Sequence, residues 1–245
     1  MEIQLPDESQ QGSLESGLAG RYELNLGDWL SEAWNRVAGN KGKIWIAMLF
    51  YLGLAFLIGL FFGLLGGTPE SPEQLGELSL VSILGDLVST IVLLPMAVGL
   101  AFFATAIALG YSPNPKSLFG WYDQTLKIVL TGVLMNLLIL LGLLLLVLPG
   151  IYLAVSYQIA LPLMVDKQLG PWQALETSRK IIWHNWFTVF VFDVVALVLV
   201  AVSTALLGVP LIWVIPFVLI AFGILYRTLA GMETATLQRT LAEDR

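Results

Sequence analysis

The chain has 245 residues, of which 57% are hydrophobic and only 12% are charged. Soluble domains carry about 25% charged residues, so this composition leaves too little polarity to cover a water-exposed surface. It excludes an ordinary soluble protein and indicates an integral membrane protein. The formal net charge is −6, and the few basic residues flank apolar segments, which gives no surface for nucleic acid.

The first 21 residues are polar and acidic, without the basic start and apolar stretch of a cleavable signal peptide. They predict a disordered cytoplasmic tail over 1–21. A membrane domain over 22–231 and a cytoplasmic C-terminal tail over 232–245 are expected to follow. The sequence contains no Cys, which removes disulfides, thiol nucleophiles and cysteine-based metal sites from consideration.

Apolar segments of suitable length for membrane crossing recur along the chain. A bilayer core of roughly 30 Å needs about 20 apolar helical residues. We predict an all-α membrane bundle of about six spans in three hairpins, with amphipathic interfacial helices. The predicted spans cover 44–65, 95–110, 128–148, 151–165, 187–207 and 211–226, and an apolar approach segment over 80–94 precedes the second.

Prolines punctuate the even-numbered spans. The apolar stretch over 126–165 is about twice as long as one crossing requires, and Pro149-Gly150 stands near its middle. Proline fits the first turn of a helix, where its missing N–H has no partner to lose. The pattern predicts a tight outer turn at this point. Pro95 and Pro210 are expected to begin or kink the second and sixth spans in the same way.

Charge predicts the orientation. With six alternating spans, all 12 Lys and Arg fall on one face, whereas the loop over 66–79 carries Glu70, Glu73 and Glu77 and no base. The positive-inside rule then places both termini in the cytoplasm. We expect a bacterial inner-membrane location.

Amphipathic stretches precede the first and fifth spans, and both contain the pattern Leu-Gly-x-Trp, at 26–29 and 169–172. Tryptophans and basic residues of this kind are typical of helices at the bilayer interface. A weaker version over 117–127 precedes the third span. Either a unit of interfacial helix and hairpin is repeated three times, or the aromatic residues common at membrane interfaces produce the likeness without any repeat. The predicted interfacial residues are Trp29, Trp34, Arg36, Trp172, Arg179, Lys180 and Trp186.

One carboxylate lies well inside a predicted span. Ionisable side chains within the hydrocarbon are costly and mark function by default, and Asp193 stands about two turns into the fifth span. Asn136 and Gln158 are its candidate neighbours, and the three form a candidate intramembrane polar site for a proton or cation. The alternative is an acid that simply hydrogen-bonds a neighbouring helix.

The segment "LPGIYLAVSYQIALPLMVDKQLGPWQALETSRKIIWHNW" over 148–186 resembles the signature of the YciC-like family of bacterial inner-membrane proteins. A similar region forms the membrane part of some glycerophosphodiester phosphodiesterases. The likeness extends over most of 22–231, ending at a Tyr-x-x-Leu-x-Gly pattern over 226–231. It implies a multi-pass membrane protein, and no phosphodiesterase domain accompanies it here.

No catalytic constellation, cofactor motif or metal-ligand spacing occurs in the sequence, so we expect neither an enzyme nor a cofactor. The leading hypothesis is a non-enzymatic membrane protein that organises membrane lipids, another membrane protein or copies of itself. The repeated hairpins and Asp193 support an alternative, a transporter or channel for a small or lipid-like solute. A third hypothesis is an immunity protein against a membrane-targeting toxin.

Overall fold

The computed structural model describes residues 11–66 and 80–242, which form helices and no strand. Six segments are long and apolar enough to cross a membrane, and the predicted all-α class is confirmed. A 3₁₀ helix occupies Pro115–Gln124. The α-helices are α1 (Leu14–Leu18), α2 (Leu26–Gly66), α3 (Leu80–Ala108), α4 (Thr125–Leu145), α5 (Val147–Ser156), α6 (Ala160–Asp166), α7 (Pro171–Trp183), α8 (Trp186–Ala205), α9 (Leu211–Leu229) and α10 (Thr234–Leu241).

Helix α2 is continuous over 41 residues, a length of about 62 Å at 1.5 Å per residue. The side chain of Asn25 accepts the backbone N–H of Gly27 at 2.9 Å and so caps its first turn. No proline interrupts the helix between 26 and 66. The predicted interfacial helix and the first span are therefore two halves of one rod.

Trp29 lies in the protein core, which corrects its assignment to the bilayer interface. Its side chain is 3% exposed, and its ring stacks on Phe192 at a centroid distance of 4.2 Å. The indole N–H donates to the carbonyl of Ala221 at 2.8 Å. The amphipathic face of α2 is apolar because it packs on α8 and α9, so this tryptophan joins three helices.

The two halves of α2 have different neighbours. The indole of Trp45 donates to the carbonyl of Ile212 at 3.0 Å, and Lys41 lies 5.4 Å from the ring centroid of Trp213. Lys41 therefore lies beside the start of α9. The predicted topology puts all basic residues on one face of the membrane and the α8–α9 turn on the other, and this contact contradicts that separation. Farther along, α2 packs on α3, where a Cβ on Gly85 would contact Phe62 at 3.1 Å.

Helix α5 runs in the same direction as α8. The indole of Trp186 donates to the carbonyl of Tyr152 at 3.3 Å, and six residues later, just past the end of α5, the amide of Gln158 donates to Asp193. Both contacts advance together along the two helices. Alternating spans would run in opposite directions, so the predicted opposite placement of the Pro149-Gly150 turn and the start of α8 is wrong.

The predicted fourth span is also broken and does not follow the full length of α8 and α9. Helices α5 and α6 are separated by residues 157–159. Asp166, the last residue of α6, accepts hydrogen bonds from the Tyr226 hydroxyl at 2.7 Å and from the backbone N–H of Glu233 at 3.0 Å. The segment from Tyr152 to Asp166 thus begins near the start of α8 and ends near the end of α9, which are the same end of that hairpin.

The three prolines occupy different positions. Pro149 is the third residue of α5 and Pro210 immediately precedes α9, as expected for residues that begin helices. Pro95 lies inside the continuous helix α3. The predicted boundary between an approach segment and a span at 94–95 is therefore absent.

Both predicted tails contain packed structure. Ser13 caps α1, and the backbone N–H of Gly12 donates to the carbonyl of Arg227 at 2.9 Å, so residues 11–21 are not a disordered tail. At the other end, Leu237 of α10 is buried and Arg239 pairs with Asp123 at 2.7 Å. Residues 1–10, the loop over 67–79 with its three glutamates, and residues 243–245 lie outside the described part.

The common direction of α5 and α8 predicts specific distances. The sequence has no Cys, so paired spin labels can be introduced cleanly at Leu148, Phe187 and Leu207, whose side chains are all exposed. The 148–187 distance should be at least about 10 Å shorter than the 148–207 distance, because α8 is about 30 Å long. Double electron–electron resonance in nanodiscs measures both, and the reverse order would restore alternating spans.

Candidate functional site

The candidate site lies where α5, α7 and α8 meet. Pro171 occupies the first turn of α7, where its lack of an N–H costs nothing. The Ser178 hydroxyl donates to the carbonyl of Ser156 at 2.7 Å, in a buried contact. This bond joins one face of α7 to the end of α5 and leaves Glu176, Arg179 and Lys180 on the more exposed side.

Three aromatic side chains meet at this junction. The ring centroid of Tyr152 lies 5.9 Å from that of Trp183 and 5.9 Å from that of Trp186. Trp186 in turn stacks on Phe190, at 5.1 Å and an interplanar angle of 8°. A pocket of about 370 Å³, here called the aromatic pocket, is lined by Tyr152, Trp183, His184, Asn185, Trp186, Phe187 and Thr188.

A charged triad borders the aromatic pocket. Arg179 binds both carboxylate oxygens of Glu176, at 2.9 and 2.8 Å, and Lys180 lies 3.5 Å from the same carboxylate. The hydrogen bonds from Arg179 hold the pKa of Glu176 below its usual range. A further guanidinium nitrogen lies 3.5 Å from the Tyr152 hydroxyl. Two bases and one acid leave the triad with a charge of +1 next to the aromatic rings.

The N-terminal segment supports the junction between α7 and α8. The Tyr22 hydroxyl donates to the carbonyl of Ile181 at 2.7 Å, and burial raises the pKa of this phenol. His184 Nε2 lies 3.2 Å from the carbonyl of Leu18, and a Cβ on Gly20 would meet the imidazole at 2.7 Å. Close packing of these residues fixes the position at which α7 ends and α8 begins.

The predicted intramembrane polar site is only partly assembled. Gln158 lies in the break between α5 and α6, and its amide donates to the carboxylate of Asp193. Both side chains are half-buried. Asn136 instead donates to Gly132, one turn earlier in α4, at 2.9 Å, and lines a separate groove with Tyr51 and Thr90. The Gln158–Asp193 pair therefore lies between α8 and the break that follows α5, about two turns along α8 from Trp186.

The predicted interfacial residues have diverse environments. Trp34 and Trp172 are 55% and 62% exposed, whereas Arg36 pairs with Glu32 and reaches the carbonyl of Ile107 at 3.2 Å. Only Arg179, Lys180 and Trp186 belong to the candidate site. Sequence reasoning missed Tyr152 and Trp183. The spacing of three between Trp183 and Trp186 was the available signal, whereas nothing in the sequence indicated that Tyr152 would join them.

Among residues 11–66 and 80–242, no group of three His, Cys, Asp or Glu is placed to hold a metal ion. The fold and the apolar helices define a polytopic helical membrane protein. No family model matches the chain, and a search of solved structures found no significant match. The YciC-like resemblance accordingly stays a prediction.

The Gln158–Asp193 contact predicts a non-additive pair of substitutions. Gln158→Leu should destabilise the protein by about 1–3 kcal/mol or more, because it leaves a carboxylate without a partner in an apolar setting. Adding Asp193→Leu should restore most of that loss, because neither partner remains. Unfolding in detergent measures both effects, with Asn136→Leu as a control. A double variant as unstable as Gln158→Leu would argue against the pairing.

Proposed function

We propose that this protein is a non-enzymatic component of the bacterial inner membrane that binds and organises phospholipids at the junction of α5, α7 and α8. The observation that carries this proposal is the combination of an aromatic pocket with a charged triad of net charge +1 beside it. Aromatic rings favour the headgroup region, and basic side chains attract lipid phosphates. The many exposed apolar side chains of α4 and α8 support a position of this junction next to lipid.

The orientation is part of the proposal. The backbone N–H of Met232 donates to the Gln11 side chain at 3.2 Å, and Gly12 bonds to the carbonyl of Arg227. The two ends of the described chain therefore lie together, which supports an even number of crossings. We place both on the cytoplasmic side, since basic residues are enriched in cytoplasmic segments.

Lipid binding by the charged triad is testable. Purified wild-type protein should retain phospholipid after detergent extraction. Arg179→Gln combined with Lys180→Gln should lower lipid affinity roughly thirtyfold, because each of the two bases near lipid contributes about 1 kcal/mol. Lipid retention can be measured by native mass spectrometry.

A matched control removes the same charge at another place, by Lys41→Gln combined with Lys43→Gln. These bases lie near Trp213 and Ser112, away from the aromatic pocket. The control should retain lipid as the wild type does. Wild-type protein that emerges free of phospholipid would overturn the proposed function.

A specific observation favours a second candidate function, transport of a small or lipid-like solute. Transporters place their sites at discontinuous membrane helices, and α5 and α6 are separated next to the Gln158–Asp193 pair. Among the described residues no ion pair reaches Asp193. Its carboxylate would then supply the charge that a proton or cation requires.

Transport predicts a large effect of a small substitution. In reconstituted vesicles, a pH-sensitive dye would report proton movement by the wild type, and Asp193→Asn should abolish it, because the amide cannot carry the negative charge. Asn136→Leu should leave the flux unchanged. Equal flux for the wild type and Asp193→Asn would remove this candidate.

A further inference from the structure

The aromatic pocket and the charged triad attract opposite charges. Four aromatic side chains line the pocket, and the ring of Tyr152 lies 5.9 Å from those of Trp183 and Trp186. A cation is attracted to an aromatic face when it lies within about 6 Å of the ring centroid. None of the residues that line the pocket carries a carboxylate, so the rings supply the attraction for a cation here.

The edge of the same pocket favours an anion. Arg179 lies 3.5 Å from the Tyr152 hydroxyl, and its bidentate contact with Glu176 fixes the plane of its guanidinium. Lys180 adds a second positive charge on the same helix, and its side chain is 56% exposed. A ligand with its positive group among the rings and its negative group toward α7 satisfies both parts of the site.

We propose that the aromatic pocket binds the ammonium group of a zwitterionic phospholipid headgroup, while Arg179 and Lys180 bind its phosphate. This inference rests on the proposed lipid binding and adds the class of lipid. The pocket volume of about 370 Å³ lies within the range of small-molecule sites, roughly 300–1,000 Å³. The acyl chains then extend along the exposed apolar side chains that follow Trp186 in α8, among them Val194 and Leu197.

Trp183 and Trp172 provide a matched comparison. Both are on α7 and are exposed to almost the same extent, 63% and 62%, but only Trp183 lines the aromatic pocket. Replacing either one leaves the protein core unchanged. Trp183→Leu removes the aromatic ring and keeps an apolar side chain, whereas Trp183→Phe keeps a ring.

The experiment compares two lipids with identical acyl chains in titrations of the full-length protein in nanodiscs. Phosphatidylethanolamine carries the ammonium group and phosphatidic acid lacks it. Trp183→Leu should weaken phosphatidylethanolamine binding about three- to tenfold and leave phosphatidic acid binding unchanged, because only the first lipid uses the rings. Trp183→Phe should lose less, and Trp172→Leu should bind both lipids as the wild type does.

The outcomes separate this inference from the proposed function. If the wild type binds neither lipid, phospholipid binding itself is wrong. If it binds both equally and Trp183→Leu changes neither affinity, lipid binding stands and the ammonium site is overturned, leaving Trp183 as an ordinary interfacial residue. Equal losses for Trp183→Leu and Trp172→Leu would also overturn it. Circular dichroism of each variant confirms that the helices are retained.

Discussion

The contact between α5 and α8 determines most of what is distinctive in this molecule. Trp186 binds the backbone of Tyr152 at one end of it, and Gln158 binds Asp193 further along. These two bonds make the helices run in the same direction. They also bring the Pro149-Gly150 turn close to the start of α8, place the aromatic rings together, and give the one carboxylate of α8 a partner at the break in its neighbouring helix. In an apolar environment each polar group must find such a partner within the protein.

The site is stabilised from both ends of the chain. Tyr22 and Leu18 contact the residues at which α7 ends, while α1 also packs on the end of α9, where the backbone carbonyl of Leu229 would lie 2.2 Å from a Cβ on Gly17. The segment over 11–22 therefore joins the aromatic pocket to the C-terminal helices. The aromatic pocket and the N-terminal segment share these contacts, so a change in the conformation of one changes the environment of the other.

Hydropathy predicted the existence of the helices well, because apolar length is a direct requirement of the bilayer. The fifth span, expected over 187–207, is α8 over 186–205. Periodicity could not distinguish lipid from protein as the partner of an apolar face, and for that reason Trp29 was assigned to the interface although it is in the core. The break at 157–159 contains neither Pro nor Gly, but Pro162 lies four residues after Gln158 and cannot donate a hydrogen bond to its carbonyl, so this proline was the local signal for the break. Asn136 satisfies its amide within its own helix, whereas Gln158 at the break finds Asp193. That difference depends on tertiary structure.

The two long helices that face each other at residues 62 and 85 have very different surroundings. In the most apolar 18-residue stretch of α2, no residue is buried within the protein, whereas 67% of the residues in the corresponding stretch of α3 are buried. In the second half of α3, Gly99 leaves no room for a Cβ, because the carbonyl oxygen of Leu118 would lie 2.6 Å from it. Lipid accepts any apolar shape, whereas a packed interior does not. The second half of α2 should therefore accept the exchange of one apolar residue for another, whereas the second half of α3 should accept only side chains that fit its packed neighbours.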